Sequence, residues 1–127
     1  MSTTLSISNE TKAIVPGALF RAVRAAALGP RYRLSVVVAS PAAMKKLNLI
    51  YRGINKPTDI LSFPISKTEG EMFLCPAEAR KEAKRFDRTA KNFLVFLFIH
   101  GCVHLKGYEH SATMESIEVK LREKFRV

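Results

Sequence analysis

Hydrophobic and polar residues alternate at the start of the chain, where Leu5 and Ile7 stand between polar neighbours from Thr4 to Ser8. That period of two predicts a short first strand. A helical period follows from about Pro16 to Leu28, and Gly29-Pro30 closes it, because proline cannot continue a helix. Leu34 to Ala39 is rich in valine with little polar alternation, which predicts an internal strand. Ser40-Pro41 is a helix start: the hydroxyl caps an orphan N–H, and proline at the first helical position has no N–H to orphan. The helix it opens is predicted through Met44 and Leu47 to about Ile50.

Tyr51 to Pro57 holds Gly53, Asn55 and Pro57 and predicts a loop. Asp59 to Phe63 then reads as a strand ended by Pro64, Lys67 to Gly70 as a turn, and Glu71 to Cys75 as another strand. Pro76 opens a charged amphipathic helix through Ala79, Ala83 and Phe86. From about Ala90 to Leu105 the chain is apolar almost all round, as in a helix enclosed by other elements. The aromatic and β-branched run Phe93 to Ile99 suits a buried strand equally well by periodicity, and the length of the segment favours the helix. Thr113 to Phe125 is a terminal amphipathic helix with Met114, Ile117, Leu121 and Phe125 on one side. No repeat, low-complexity tract or linker interrupts this mixture of helix and strand, so residues 1–127 are expected to form one domain.

Charge changes the picture. Lys and Arg number 21 against 11 Asp and Glu, a net charge of +10, more than solubility requires. Such a surface attracts a polyanion, and nucleic acid is the common one; anionic membranes feel the same field, and some basic proteins carry such an excess without catalysis. The start of the chain lacks the basic and apolar regions of a signal peptide. The seven apolar residues from Phe93 to Ile99 fall far short of the ~20 that span a bilayer. The two cysteines, Cys75 and Cys102, form no CxxC pair and are expected to be reduced thiols in a cytoplasmic protein with no membrane association.

All three histidines fall in the eleven residues from His100 to His110. Residues four apart on a helix lie about 40° apart around its axis, so His100 and His104 can present imidazoles to one ion. Gly107 can take the left-handed conformation that stops the helix and turns the chain back, letting His110 complete a three-imidazole site. Three imidazoles leave a tetrahedral zinc one open position, where water is acidified to a pKa of about 7 and yields hydroxide at neutral pH. Zinc is favoured over nickel or iron by imidazole preference and abundance. A closed structural site with Cys75 or Glu109 as fourth ligand is the alternative; Cys102, about 200° from His100 on the helix, points away. Zincin proteases place a glutamate directly after the first histidine, and here that position is Gly101, so the protease reading lacks its base. Glu109, Glu71 and the metal hydroxide itself remain as proton acceptors, and Glu109 could instead fix a histidine tautomer.

The segment His100 to His110 resembles the signature H-G-x-x-H-L-x-G-Y-[DE]-H of the YbeY family, the metal-dependent endoribonucleases of bacterial rRNA maturation. A second block, Leu47-Asn48-Leu49-Ile50-Tyr51-Arg52-Gly53-Ile54-Asn55-Lys56-Pro57-Thr58-Asp59-Ile60-Leu61-Ser62-Phe63-Pro64, is similar to the family's LNxxYRGxxKPTDVLSFP. Departures are Glu71 after Gly70, where aspartate is common, Glu109 where aspartate is commoner, and a truncated C-terminal tail. The resemblance implies an α+β fold with a small mixed sheet packed around a buried helix. It implies one zinc ion per chain on His100, His104 and His110, and an essential arginine at Arg52. A guanidinium there could grip a phosphate bidentately. Lys56 offers a second positive contact, and Ser62 and Phe63 a hydroxyl and a stacking ring for a nucleotide.

Three functions compete. The first, which accounts for both charge and motif, is a zinc-dependent, single-strand-preferring endoribonuclease of rRNA processing and ribosome maturation. It would cut phosphodiesters by hydrolysis or transesterification, with rRNA precursors, ribosomal particles and assembly proteins as partners. The second is a non-catalytic RNA-binding assembly factor whose metal only holds the fold; four protein ligands and unfolding on chelation would mark it. The third, a hydrolase of peptides or small molecules, is disfavoured by the absence of HExxH and by the charge.

Overall fold

The computed structural model describes residues 4–107 and 112–127. Among the described residues nine elements run in the order β1 (Leu5–Asn9), α1 (Gly17–Leu28), β2 (Arg33–Val38), α2 (Pro41–Arg52), β3 (Ile60–Ser66), β4 (Glu69–Leu74), α3 (Pro76–Arg85), α4 (Ala90–Leu105) and α5 (Ala112–Phe125). The strands form one mixed sheet in the order β1-β2-β4-β3. β1 and β4 flank β2 in parallel, with Val36 opposite Ile7 on one side and Met72 on the other, and β3 pairs antiparallel with β4. This is the α+β architecture expected from the sequence, with β2 internal as its valines predict.

Strand periodicity sorts the sheet into two faces. Leu5, Leu34, Val36, Val38, Met72 and Leu74 are fully buried on one face, against α1, α3, α4 and α5. On the other, Leu61 is buried and Val37, Phe63 and Phe73 are partly buried, around Met44 of α2 in a smaller core. α2 covers only part of that second face, so Ser35 of β2 is exposed although its strand is central. α4 is enclosed as predicted, and Phe93 to Ile99 is helix. Its helical packing includes Phe98 stacked on Phe20 of α1, with ring centroids 4.0 Å apart.

The helix starts behave as the sequence predicts. Ser40 accepts from the Ala43 N–H at 3.2 Å and Pro41 opens α2. α2 runs two residues past the predicted Ile50, because Gly53 at φ 70° ends it and the Ile54 N–H bonds back to Asn48 O, a left-handed stop that glycine takes at no steric cost. Pro64 does not end β3. The strand continues to Ser66 with a register shift between Pro64 and Ser66, which an edge strand tolerates because its outer N–H positions carry no ladder bond. Only Lys67 and Thr68 form the turn, and β4 begins at Glu69 rather than Glu71.

Candidate active site

Packing of α4 on the sheet begins the site. A Cβ on Gly101 would lie 2.5 Å from Met72 Cε and 2.9 Å from Ile60 Cδ1, so the bare glycine leaves room for the ends of these two side chains where the helix packs on β3 and β4. That packing brings His104 to the edge strand. Ser62, on the same face of β3 as Ile60, places its Oγ 3.1 Å from His104 Nδ1.

One turn earlier, His100 Nδ1 lies 2.9 Å from Oε1 of Glu118 on α5. Glu118 is 8% exposed. Its Oε1 is also 4.0 Å from Arg122 Nη1, and the Arg122 guanidinium lies over the Phe96 ring of α4 at 5.1 Å. An ionised carboxylate only accepts hydrogen bonds, so His100 donates from Nδ1 and, when neutral, carries its lone pair on Nε2. That is the protonation state a ligating imidazole needs, with a carboxylate behind it.

The opposite wall comes from the C-terminal end of α2 and the loop after it. Asn48, 2% exposed, donates from Nδ2 to the Lys56 backbone oxygen at 2.8 Å and pins that loop. The result is a cleft of about 360 Å³ lined by Arg52, Thr58 to Phe63, His100 and His104. Because Thr58 to Phe63 is lined consecutively, the cleft follows the open edge of β3. Phe63 stands at its rim with the exposed Tyr51, ring centroids 4.8 Å apart, and meets Phe73 edge-on at 6.0 Å. Asp59 in the same wall has its carboxyl pushed above the ordinary range, first by burial and then by the carboxylates of Glu82 and Glu78.

The cleft thus gathers Arg52, Ser62, Phe63, His100 and His104, residues drawn from both sequence blocks. Lys56 is exposed on the pinned loop and is not among the residues lining it. Glu71 pairs with Phe63 across the β3–β4 ladder, on the sheet face opposite Ser62, which turns it away from the histidines. Cys75 is buried in the smaller core, and burial raises its thiol pKa. Cys102 is buried in the main core on the far side of α4, its thiol pushed well above the ordinary range by burial. Gly107, at φ 107°, follows α4 as the predicted stop. His110 and Glu109 lie outside the described residues, and among the described residues no three His, Cys, Asp or Glu side chains form a metal-binding group.

Glu118 is the site residue that sequence reasoning missed. Its signal is a carboxylate one turn after Met114 and three before Leu121, on the side of α5 that is otherwise buried and apolar.

A family model described as Endoribonuclease YbeY matches residues 2–126. The Endoribonuclease YbeY of Thermotoga maritima is 37% identical over 79 residues, covering 61% of this chain and 53% of that protein. That of Pseudoalteromonas translucida is 33% identical over 98 residues, 72% of this chain and 64% of its own length. The match thus spans between about half and two thirds of the length of these curated relatives. A solution structure of a Thermotoga maritima protein superposes with a TM-score of 0.69 at 27% identity, covering 96% of this chain and 91% of that one.

Proposed function

Because this chain belongs to the YbeY family of endoribonucleases, we propose that it is a zinc-dependent endoribonuclease acting on rRNA or its precursors. The observation that carries this reading is that Arg52 of one motif lines the same cleft as His100 and His104 of the other.

In this reading the +10 surface collects the RNA, and the exposed Tyr51 with Phe63 at the rim offers ring faces on which an unpaired base can stack. A base splayed out of a single strand reaches such a rim where a duplex does not. Arg52, exposed at the end of α2, grips the phosphodiester with paired N–H donors and stabilises charge building on its non-bridging oxygens. His100, His104 and His110 would hold the zinc. When bound, zinc supplies Lewis acidity to a phosphate oxygen and lowers the pKa of water toward neutrality. Ser62 and Glu118 hold the rings of His104 and His100 in place, and water or a ribose hydroxyl is the nucleophile. Ribosomal particles are the setting in which such a substrate would be presented.

The test is cleavage of a long structured RNA by zinc-loaded protein, beside His104→Ala and Arg52→Ala proteins shown to be folded. Loss of cutting in both supports the reading. Equal cutting by all three, or binding without cutting by all three, overturns it in favour of an assembly factor with a structural metal.

A further inference from the structure

α5 places behind the cleft's His100 a group that its amphipathic pattern gives no packing reason to keep. At position 118 the helix faces the core between Met114 and Leu121, both buried, where a leucine would pack without desolvating a charge. Burying a carboxylate is costly unless it is hydrogen-bonded. Replacing a buried polar pair by apolar side chains is often neutral or stabilising. Stability alone therefore does not account for the carboxylate, and its contacts do. Glu118 Oε1 reaches His100 Nδ1 at 2.9 Å and stands 4.0 Å from Arg122 Nη1, itself held over Phe96. On the other ring, Ser62 reaches His104 Nδ1 at 3.1 Å.

We propose that Glu118 is a positioning residue that acts through His100: it fixes the ring so that Nδ1 carries the proton and Nε2 is presented for zinc, with Arg122 holding the carboxylate in turn. The inference rests on the zinc reading of the site given above. α5 is then part of the metal centre rather than a cover for the core.

The experiment measures zinc affinity by competition with a chromophoric chelator for wild type, Glu118→Leu and Glu118→Gln, alongside the melting temperature of each metal-free protein. A second readout is the nitrogen-15 signature of the His100 ring in the metal-free state. Positioning predicts zinc affinity about 10- to 100-fold weaker in folded Glu118→Leu, beyond what any change in the metal-free melting temperature explains, with loss of the Nδ1–H tautomer. Glu118→Gln, which keeps an acceptor but not the charge, falls between. If Glu118→Leu does not fold, Glu118→Gln decides by the same affinity and ring measurements. Zinc affinity within twofold of wild type in the variants overturns the proposal. Wild type that binds no zinc overturns the metal reading as well, whereas zinc-dependent cutting by wild type with unchanged affinity in the variants overturns the role of Glu118 alone.

Discussion

Ser62 of β3 and His104 of α4, 42 residues apart in sequence, meet at 3.1 Å between hydroxyl and Nδ1. Ser62 thereby contributes a contact to a histidine as well as a wall to the cleft. Ser62→Ala removes the contact while leaving a half-buried strand position occupied. Zinc affinity and kcat/KM for RNA are expected to fall about 10-fold, with an unchanged melting temperature, and equilibrium chelator competition with single-turnover cleavage will measure both.

Arg52 is exposed at the end of its helix, so its replacement leaves the fold intact. Arg52→Ala is expected to lower kcat by about 10²–10³-fold, the scale of losing one donor to transition-state charge. Arg52→Lys is expected to recover little, because an ammonium cannot form the paired planar contact. Cleavage rates at saturating RNA distinguish this from a loss of binding.

Zinc removal is expected to abolish cutting while RNA binding persists, since the large buried apolar core around α4 holds the fold. Readdition at about 100 times Kd should stabilise the fold by about 2.7 kcal/mol, measured by thermal denaturation. Collapse of secondary structure on chelation would instead mark a structural metal.

Gly101→Val places a branched side chain where a single Cβ already lies 2.5 Å from Met72 Cε. Overpacking of this kind costs about 1–3 kcal/mol, and the side-chain ends of Met72 and Ile60 that must shift to admit it lie between α4 and the sheet, so stability and cutting are expected to fall together. Denaturant unfolding beside cleavage assays checks the pair.

Asp59 has a carboxyl pKa raised by burial and by its carboxylate neighbours Glu82 and Glu78. A raised folded pKa means that the folded state binds the proton more tightly, so this stability is present below the ordinary carboxylate pKa and lost as pH rises through the raised value. Asp59→Asn is therefore expected to raise the melting temperature at pH 7, with the gain vanishing in acid below the ordinary carboxylate pKa. Melting curves across pH 3–8 test the sign.

The elements most legible in the sequence were those with local signals. Ser40-Pro41 marks the start of α2 by chemistry that works within one turn, and the apolar run to Leu105 gives α4 its full span. β3 was harder, because Pro64 is a strand breaker except at an edge, and edge position depends on strand order. Glu71 illustrates the same limit. Its sheet face follows from pairing with Phe63, a register no single segment encodes. Arg52 and the two described histidines were readable as motifs. Glu118 was not, since its contact with His100 arises only where α5 packs on α4, and there the hydrophobic pattern registers it as an interruption.

The parallel pairing of β1, β2 and β4, with β3 antiparallel on the outside, has a consequence for the order in which the molecule becomes competent. Parallel neighbours cannot close as hairpins; each waits for an intervening crossover to be laid down, and such distant pairings form slowly compared with helices. Ser62 of the edge strand and His104 of α4 are 42 residues apart, so their contact needs both the assembled sheet and the helix packed on it. The contacts of the two histidines are thereby a property of the finished fold, and no isolated segment of the chain carries them.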